Sequence, residues 1–166
     1  GLGKLKNFKV DDAAIAQGLR MVEWPARVQR LTTGKLVDLL LPGWELWLDG
    51  GHNAAAGEAL AAILGDWRDG PLHLIFGMLN SKEPTDFLRP LAAYAVGLHG
   101  VAIPNEEASL SSLEATDAGN AVGISSAPSV GVAAAIETIV QPNTAPSRIL
   151  ICGSLYLAGQ VLAENG

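Results

Sequence analysis

The fold is decided by residues 72–76 (Leu-His-Leu-Ile-Phe), which lie between the chain breakers Gly70-Pro71 and Gly77. Four of these five residues are apolar, and such a short, nearly continuous apolar run predicts a strand that is buried on both faces. Strands of this kind belong to parallel sheets that helices cover on either side. Residues 148–152 (Arg-Ile-Leu-Ile-Cys) have the same character and are also followed by glycine. Both runs therefore predict buried strands.

Helical and extended segments alternate along the rest of the chain. Further strands are predicted at residues 36–41, 45–48, 96–103 and 122–124, and helices at residues 11–22, 53–67, 84–94, 110–120, 129–140 and 155–163. A strand followed by a helix about every 25 residues indicates βαβ crossovers. The sequence therefore predicts an α/β fold with a mainly parallel sheet and helices on both of its faces.

Composition limits the class of protein. The 166 residues are 49% hydrophobic and carry a net charge of −6. This is typical of one globular domain and argues against a nucleic-acid partner, because phosphates are bound by basic surfaces. No stretch of about 18 uninterrupted apolar residues offers a membrane span. The single cysteine, Cys152, has no partner for an internal disulfide, so the reducing cytoplasm is the expected location.

Three glycine-containing loops follow predicted strands. They are residues 49–53 (Asp-Gly-Gly-His-Asn), 77–83 (Gly-Met-Leu-Asn-Ser-Lys-Glu) and 153–156 (Gly-Ser-Leu-Tyr). Ligands of open α/β sheets bind at the carboxyl ends of the strands. Glycine lets the backbone approach a ligand closely, and the helix after such a loop directs free N–H groups toward an anion. These loops are the candidate binding site.

Each polar side chain in these loops has two interpretations. Asp49 could accept hydrogen bonds from two ribose hydroxyls and His52 could donate to a phosphate, or the segment could be a tight turn with Asn53 as the N-cap of the next helix. Lys82 could neutralise a phosphate or a carboxylate, or it could be a solvated lysine. Ser154 could bind a ligand or cap a helix. The residues alone leave these alternatives open.

Arg27, which follows Trp24-Pro25, is either a bidentate clamp for phosphate or carboxylate or an ordinary surface arginine. Two other chemistries are excluded by their motifs. Gly34-Lys35 is followed by leucine rather than serine or threonine, so the chain has no P-loop. The histidines at positions 52, 73 and 99 lie far apart and have no second cysteine beside them, so a zinc site is not expected.

Five segments, taken in order, resemble the C-terminal domain of folylpolyglutamate synthase/dihydrofolate synthase, a member of the Mur ligase superfamily. They are residues 24–31 (Trp-Pro-Ala-Arg-Val-Gln-Arg-Leu), 48–53, 76–82, 103–104 and 152–159 (Cys-Gly-Ser-Leu-Tyr-Leu-Ala-Gly). The resemblance spans residues 24–162. It implies a Rossmann-like domain of the Mur ligase C-terminal type at residues 24–166. It also implies that residues 1–23 are the end of an N-terminal domain and a hinge helix.

The resemblance implies an ATP-dependent ligase of folate biosynthesis and one-carbon metabolism, which adds L-glutamate to dihydropteroate or to a folate through an acyl phosphate. It also implies roles for four residues. Arg27 and His52 would face the nucleotide phosphates, Asp49 would hold the ribose, and Asn53 would order the same loop.

Lys82 and Ser154 would lie toward the acyl phosphate and the incoming glutamate, and His52 and Lys82 would be the catalytic groups. The implied cofactors are ATP and Mg²⁺, with the metal ligands coming mainly from an N-terminal ATPase domain. That domain, L-glutamate and dihydropteroate or folate are the implied partners, without nucleic acid or membrane, and the protein would be a monomer. As a separate piece, the chain would fold but would not catalyse ligation.

Two other interpretations stay open. The chain could be a non-catalytic α/β module that binds a nucleotide or metabolite, or the C-terminal domain of another Mur-type ligase. A glycine-rich P-loop encoded upstream would favour the ligase over the module. The segments Gly77-Met78 and residues 153–156 favour the folate branch of the superfamily, by resemblance.

Overall fold

The computed structural model describes residues 27–142 and 145–166. These residues form a six-stranded sheet with the strand order β1-β2-β6-β3-β4-β5. Strand β1 runs antiparallel to β2, and all other neighbouring strands are parallel. The strands are β1 (Gln29–Leu31), β2 (Glu45–Leu48), β3 (Leu72–Phe76), β4 (Ala95–Gly100), β5 (Ser126–Pro128) and β6 (Arg148–Cys152). The α-helices of the described ranges are α1 (Ala54–Leu64), α2 (Pro84–Leu88), α3 (Ser112–Ala121), α4 (Val132–Val140) and α5 (Leu155–Asn165).

The helices cover both faces of the sheet. Successive side chains of a strand point to opposite faces. Leu74 of β3 and Leu150 of β6 therefore pack in one buried cluster with α1, α2 and α3, whereas Ile75 and Ile151 pack in a second cluster with α4 and α5. All four side chains are fully buried, and each contributes about 1.5–3 kcal/mol to stability. The central strands thus join the two halves of the core.

Strand β6 is the last in sequence but lies between β2 and β3. Because these three strands are parallel to one another, they end at the same edge of the sheet. The loops that follow them, residues 49–53, 153–154 and 77–83, are therefore neighbours. This is the kind of reversal in strand order at which α/β sheets bind ligands.

The structure confirms the predicted fold class and the bounds of three strands, residues 45–48, 72–76 and 148–152. The strand predicted at 96–103 is β4, and the helix predicted at 53–67 is α1, which ends at Leu64. The helices predicted at 110–120, 129–140 and 155–163 are α3, α4 and α5, with ends that differ by up to three residues.

The helix predicted at residues 84–94 is shorter than expected. Helix α2 ends at Leu88 and continues as the 3₁₀ turn Arg89–Leu91. Pro90 lies in that turn, and proline has no N–H group for an α-helical hydrogen bond. The α-helix therefore ends before it.

The strand predicted at residues 36–41 is wrong. This stretch contains the 3₁₀ turn Val37–Leu39, and its entry is bound to the end of α5. The N–H of Lys35 donates to the carbonyl oxygen of Asn165 at 3.0 Å, and the N–H of Leu36 donates to Oδ1 of the same residue at 3.0 Å. The end of α5 thus accepts hydrogen bonds from the N–H groups of Lys35 and Leu36, which a strand would need for pairing.

The strand predicted at residues 122–124 is also wrong, and β5 begins later, at Ser126. The N–H groups of Gly123 and Ile124 donate at 3.0 Å to the carbonyls of Asn120 and Gly119, so these residues terminate α3. Gly123 has a φ of +88°, which is typical of the glycine after a helix.

Strand β1 was not predicted. It has three residues and no alternating pattern. The predicted helix at 11–22, the stop at Trp24-Pro25 and the boundary between residues 23 and 24 lie outside the described residues. Within the described ranges, no helix is both long enough and apolar enough to cross a membrane.

Candidate functional site

The three glycine-containing loops form a cavity of about 280 Å³ at the carboxyl edge of β2, β6 and β3. We call it the loop cavity. Each of the three loops contributes a polar side chain that the sequence singled out. The lining residues are His52, Leu79, Ser81, Lys82, Gly153, Ser154, Leu155 and Tyr156.

The loop after β2 is held by its own first residue. The Asp49 carboxylate is 5% exposed, and its Oδ1 accepts a hydrogen bond from the N–H of Gly51 at 2.7 Å. A Cβ at Gly51 would lie 2.8 Å from both that oxygen and the Cβ of Ala56, so only glycine fits here. Asn53 is the N-cap of α1 and accepts from the N–H of Ala56 at 2.9 Å. The partly exposed His52 is therefore fixed between a turn and a helix cap.

The loop after β6 presents a buried hydroxyl. Gly153 has a φ of +112°, and a Cβ there would lie 2.6 Å from the ring of Phe76. Ser154 is 3% exposed, and its Oγ accepts from the N–H of Tyr156 at 3.0 Å, which caps α5. This bond uses the hydroxyl oxygen as an acceptor and leaves its hydrogen free to donate into the cavity. Both interpretations of Ser154, cap and ligand donor, are thus compatible.

The loop after β3 is fixed by the loop that follows β4. The N–H of Leu110 donates to the carbonyl of Met78 at 2.8 Å, and the N–H of Asn80 donates to the carbonyl of Ala108 at 2.7 Å. Lys82, which is partly buried, follows this anchored segment. Lys82 forms no ion pair with any residue in 27–142 or 145–166, so its charge is available to an anion in the loop cavity.

Arg27 and Asp49 line a second cavity of about 670 Å³ together with Val28 and one side of α1. We call it the α1 cavity. Arg27 and His52, which are both predicted to face phosphates, thus line different cavities. The loop at residues 49–53 contributes to both, so one elongated ligand would contact Arg27 and His52 together only by passing along that loop.

Cys152 and His73 line neither the loop cavity nor the α1 cavity. Burial raises the pKa of the Cys152 thiol, and the nearby Asp49 charge adds to the effect, so this cysteine is unreactive in the folded protein. His73 is predicted to pack within its strand, and it is partly buried and stacked on Trp44 with 6.2 Å between ring centres. Among the described residues, no three His, Cys, Asp or Glu side chains are placed to hold a metal together.

The predicted site loops contain four further residues of the loop cavity for which no individual role was predicted, namely Leu79, Ser81, Leu155 and Tyr156. Each is adjacent or close to a residue with a predicted role. Leu155 and Tyr156 are 50% and 59% exposed, and exposed apolar side chains beside a cavity are the signal that marks them.

No family model matches the chain. Two curated archaeal proteins do, and both are named as probable bifunctional folylpolyglutamate synthase/dihydropteroate synthase. The protein from Halobacterium salinarum is 29% identical over 154 residues, and that from Haloferax volcanii is 27% identical over 154 residues. Each match covers 91% of this chain and 17% of the relative. The chain thus spans about a sixth of the length of these curated relatives.

Solved structures share the fold. FolC from Escherichia coli in complex with DHPP and ADP has a TM-score of 0.72, and the match covers 95% of this chain and 35% of that one at 19% identity. The chain resembles folylpolyglutamate synthase. The folylpolyglutamate synthase of Mycobacterium tuberculosis complexed with ADP matches at a TM-score of 0.70 and 23% identity, covering 95% of this chain and 36% of that one. This coverage of the folylpolyglutamate synthases fits a C-terminal domain.

Proposed function

We propose that the chain is the C-terminal domain of an ATP-dependent amide ligase that adds L-glutamate to dihydropteroate or to a folate. One observation carries the proposal. His52, Lys82 and Ser154 come from three loops that are far apart in sequence, and they line one cavity at the carboxyl edge of the sheet. The curated relatives, which are named for folylpolyglutamate synthesis, support the same activity.

The reaction has two steps. The carboxylate of the acceptor attacks the γ-phosphate of ATP, which gives an acyl phosphate and ADP. The amine of glutamate then attacks the acyl carbon, phosphate leaves as the C–O bond breaks, and the amine loses a proton. Negative charge on the transferring phosphoryl oxygens needs positive groups that are already in place. Lys82 supplies such a charge in the loop cavity, and His52 supplies an N–H donor.

Ser154 is assigned to the incoming glutamate. Its hydroxyl hydrogen is free, and it lies at the N-terminus of the 11-residue helix α5, where backbone N–H groups favour a carboxylate. Lys82 lines the same cavity as Ser154. We assign these two residues to the acyl phosphate and to one carboxylate of glutamate.

The α1 cavity is assigned to the nucleotide. Arg27 would meet phosphate oxygens, Asp49 would accept from the ribose, and Asn53 would keep the loop between the two cavities in place. The solved neighbours include a bifunctional folylpolyglutamate synthase/dihydrofolate synthase with Mn, AMPPNP and L-glutamate bound, at a TM-score of 0.69 and 22% identity over 92% of this chain and 34% of that one. Those ligands support the assignment of nucleotide and glutamate to a site that this chain would form together with an N-terminal domain.

Mg²⁺ is assigned to a part of the protein outside this chain. The described residues provide no cluster of three metal-ligating side chains, and no step above places a metal on them. An N-terminal ATPase domain would supply the Mg²⁺ ligands and complete the site. We further propose that the complete ligase is a cytoplasmic monomer and that the 166-residue chain alone is inactive.

The test is ATP-dependent incorporation of labelled glutamate by the longer protein that contains this chain, with dihydropteroate and tetrahydrofolate as competing acceptors. Incorporation into either acceptor supports the ligase, and the ratio of the two rates identifies the substrate. A protein that binds nucleotide but incorporates no glutamate would contradict it. Incorporation by the 166-residue chain alone would show that no second domain is needed.

A further inference from the structure

The carboxylate of Asp49 holds two segments of the chain together. While Oδ1 accepts from Gly51, Oδ2 accepts from the backbone N–H of Val28 at 3.0 Å. Val28 directly precedes β1, and Asp49 directly follows β2. Asp49 is 5% exposed. Its hydrogen bond with Gly51 is buried and its hydrogen bond with Val28 is partly buried, and burial strengthens a hydrogen bond.

Val28 has a backbone conformation that valine rarely adopts. Its φ is +42°, in the left-handed region, where a β-branched side chain crowds its own backbone. Such a conformation persists only where the surrounding structure enforces it. Within the described residues, the acceptor of the Val28 N–H is Asp49. The carboxylate is therefore the group that holds the strained residue.

The left-handed residue Val28 lies between Arg27 and β1. Residues 27 and 28 form a bend directly before the strand, and Arg27, Val28 and Asp49 all line the α1 cavity. Arg27 is exposed and forms no ion pair with a described residue. No described carboxylate thus fixes the guanidinium, which leaves the backbone turn to place it.

We propose that Asp49 is a positioning residue, which clamps Val28 in the left-handed conformation and thereby places Arg27 at the α1 cavity. This role is separate from any contact of Asp49 with a ribose. We call the hydrogen bond between Asp49 and the strained Val28 the clamp. Only the assignment of phosphate to Arg27 rests on the proposed function, because the clamp can be measured without any ligand.

The first experiment is a double-mutant cycle on thermal stability, with Val28→Gly, Asp49→Ala and the double variant of the 166-residue chain. Alanine removes both acceptor oxygens, whereas asparagine would keep one. Glycine relieves the strain only where the clamp enforces it. We expect Val28→Gly to raise Tm, relative to its parent, by about 2 °C or more in the Asp49 background compared with the Asp49→Ala background. Val130→Gly, at a site that is 98% exposed, should have the same effect in both backgrounds. An equal effect of Val28→Gly in both backgrounds overturns the clamp.

A spectroscopic measurement tests the clamp even if Asp49→Ala does not fold. In the unaltered chain, a left-handed Val28 gives a strong nuclear Overhauser effect between its own amide and α protons. Its N–H, bonded to a buried carboxylate, should exchange slowly with solvent. A weak intraresidue effect together with fast exchange overturns the proposal.

The positioning role is tested with inorganic pyrophosphate, which has no ribose for Asp49 to contact. Arg27→Ala and Asp49→Ala should each weaken pyrophosphate binding severalfold, and the double variant should bind no more weakly than Arg27→Ala alone. Loss of the Asp49 charge by itself would strengthen anion binding, so the expected sign is diagnostic. Unchanged or tighter binding by Asp49→Ala overturns the positioning role. If the unaltered chain binds no pyrophosphate, the phosphate assignment of Arg27 is wrong, and the stability cycle still decides the clamp.

Discussion

The two edges of the sheet use cationic side chains in opposite ways. At the amino edge, Arg148 donates from Nε to Glu45 at 2.6 Å and from Nη1 to Asp69 at 2.5 Å, and its guanidinium lies 5.1 Å from the ring centre of Trp67. At the carboxyl edge, Lys82 has no ion-pair partner among the described residues. A cation that is neutralised by two carboxylates stabilises the fold, whereas an unpaired one beside a cavity is available to a ligand.

The pKa shifts at the amino edge have the same explanation. Burial alone would raise the pKa of Glu45, but hydrogen bonds from Arg148 and Trp47 outweigh it, so the pKa is lowered. The hydrogen bond to Asp69 in turn contributes to a raised pKa of Arg148. Arg148, Glu45 and Asp69 stabilise one another's charged forms, so these charges are not available to a ligand.

The sharpest test of this contrast is Lys82→Ala in the longer ligase. We expect kcat/KM for glutamate addition to fall about 100-fold or more, because a charge that stabilises the transferring phosphoryl group is lost. Lys35→Ala is the matched control, since Lys35 is an exposed lysine outside both cavities. Initial rates of labelled glutamate incorporation measure both. Equal rates for the two variants would contradict the role of Lys82.

Ser154→Ala should raise the KM for glutamate about tenfold, because a hydrogen bond to a carboxylate is lost. The change also removes the N-cap of α5, which costs about 1 kcal/mol of stability. Ser111→Ala separates the two effects. Ser111 caps α3 in the same way but does not line the loop cavity. Both variants should lose stability, and only Ser154→Ala should change KM. A changed KM in both would assign the effect to stability.

At the amino edge, Arg148→Ala should lower the free energy of unfolding by about 2 kcal/mol, because the partly buried Glu45 loses its charged hydrogen-bond donor and keeps only the one from Trp47. Arg30 is a milder comparison. It lies 3.3 Å from Glu45 and its side chain is 49% exposed, so Arg30→Ala should cost less than about 0.5 kcal/mol. Urea denaturation of the 166-residue chain measures both. Equal losses would show that burial does not separate these pairs.

The smallest effect concerns pH. Burial lowers the pKa of His73 and of His99, and for His73 the charge of His99 adds to it. The unfolded chain therefore binds more protons below the unperturbed histidine pKa of about 6.5. Stability should be full above that pH and should decline as the pH falls through 6.5 toward the lowered values. His73→Gln should flatten that decline in urea midpoints measured between pH 5 and 8. An unaltered slope would mean that His73 does not titrate in this range.

The sequence predicts those strands and loops that strong local patterns encode. The strands at residues 72–76 and 148–152 are nearly continuous apolar runs. The loops after them carry glycine where a Cβ would clash, so both strands and the site loops could be predicted. The predictions at residues 36–41 and 122–124 were wrong because hydrogen bonds from backbone N–H groups determine the structure there. Asn165 accepts these bonds in the first stretch, and the last turn of α3 accepts them in the second. The bond from Val28 to Asp49 joins residues 21 positions apart, and no local pattern encodes it.

The placement of β6 has a consequence for synthesis on the ribosome. This strand is the last of the described strands to emerge, yet it separates β2 from β3 in the finished sheet. Until residues 148–152 leave the exit tunnel, β2 and β3 have no strand between them to pair with, so any β1-β2 pair and any β3-β4-β5 sheet would each leave one edge uncovered. Such intermediates aggregate readily. We therefore expect the chain that forms this sheet to become protease-resistant in a single late step of translation, rather than progressively from its amino end.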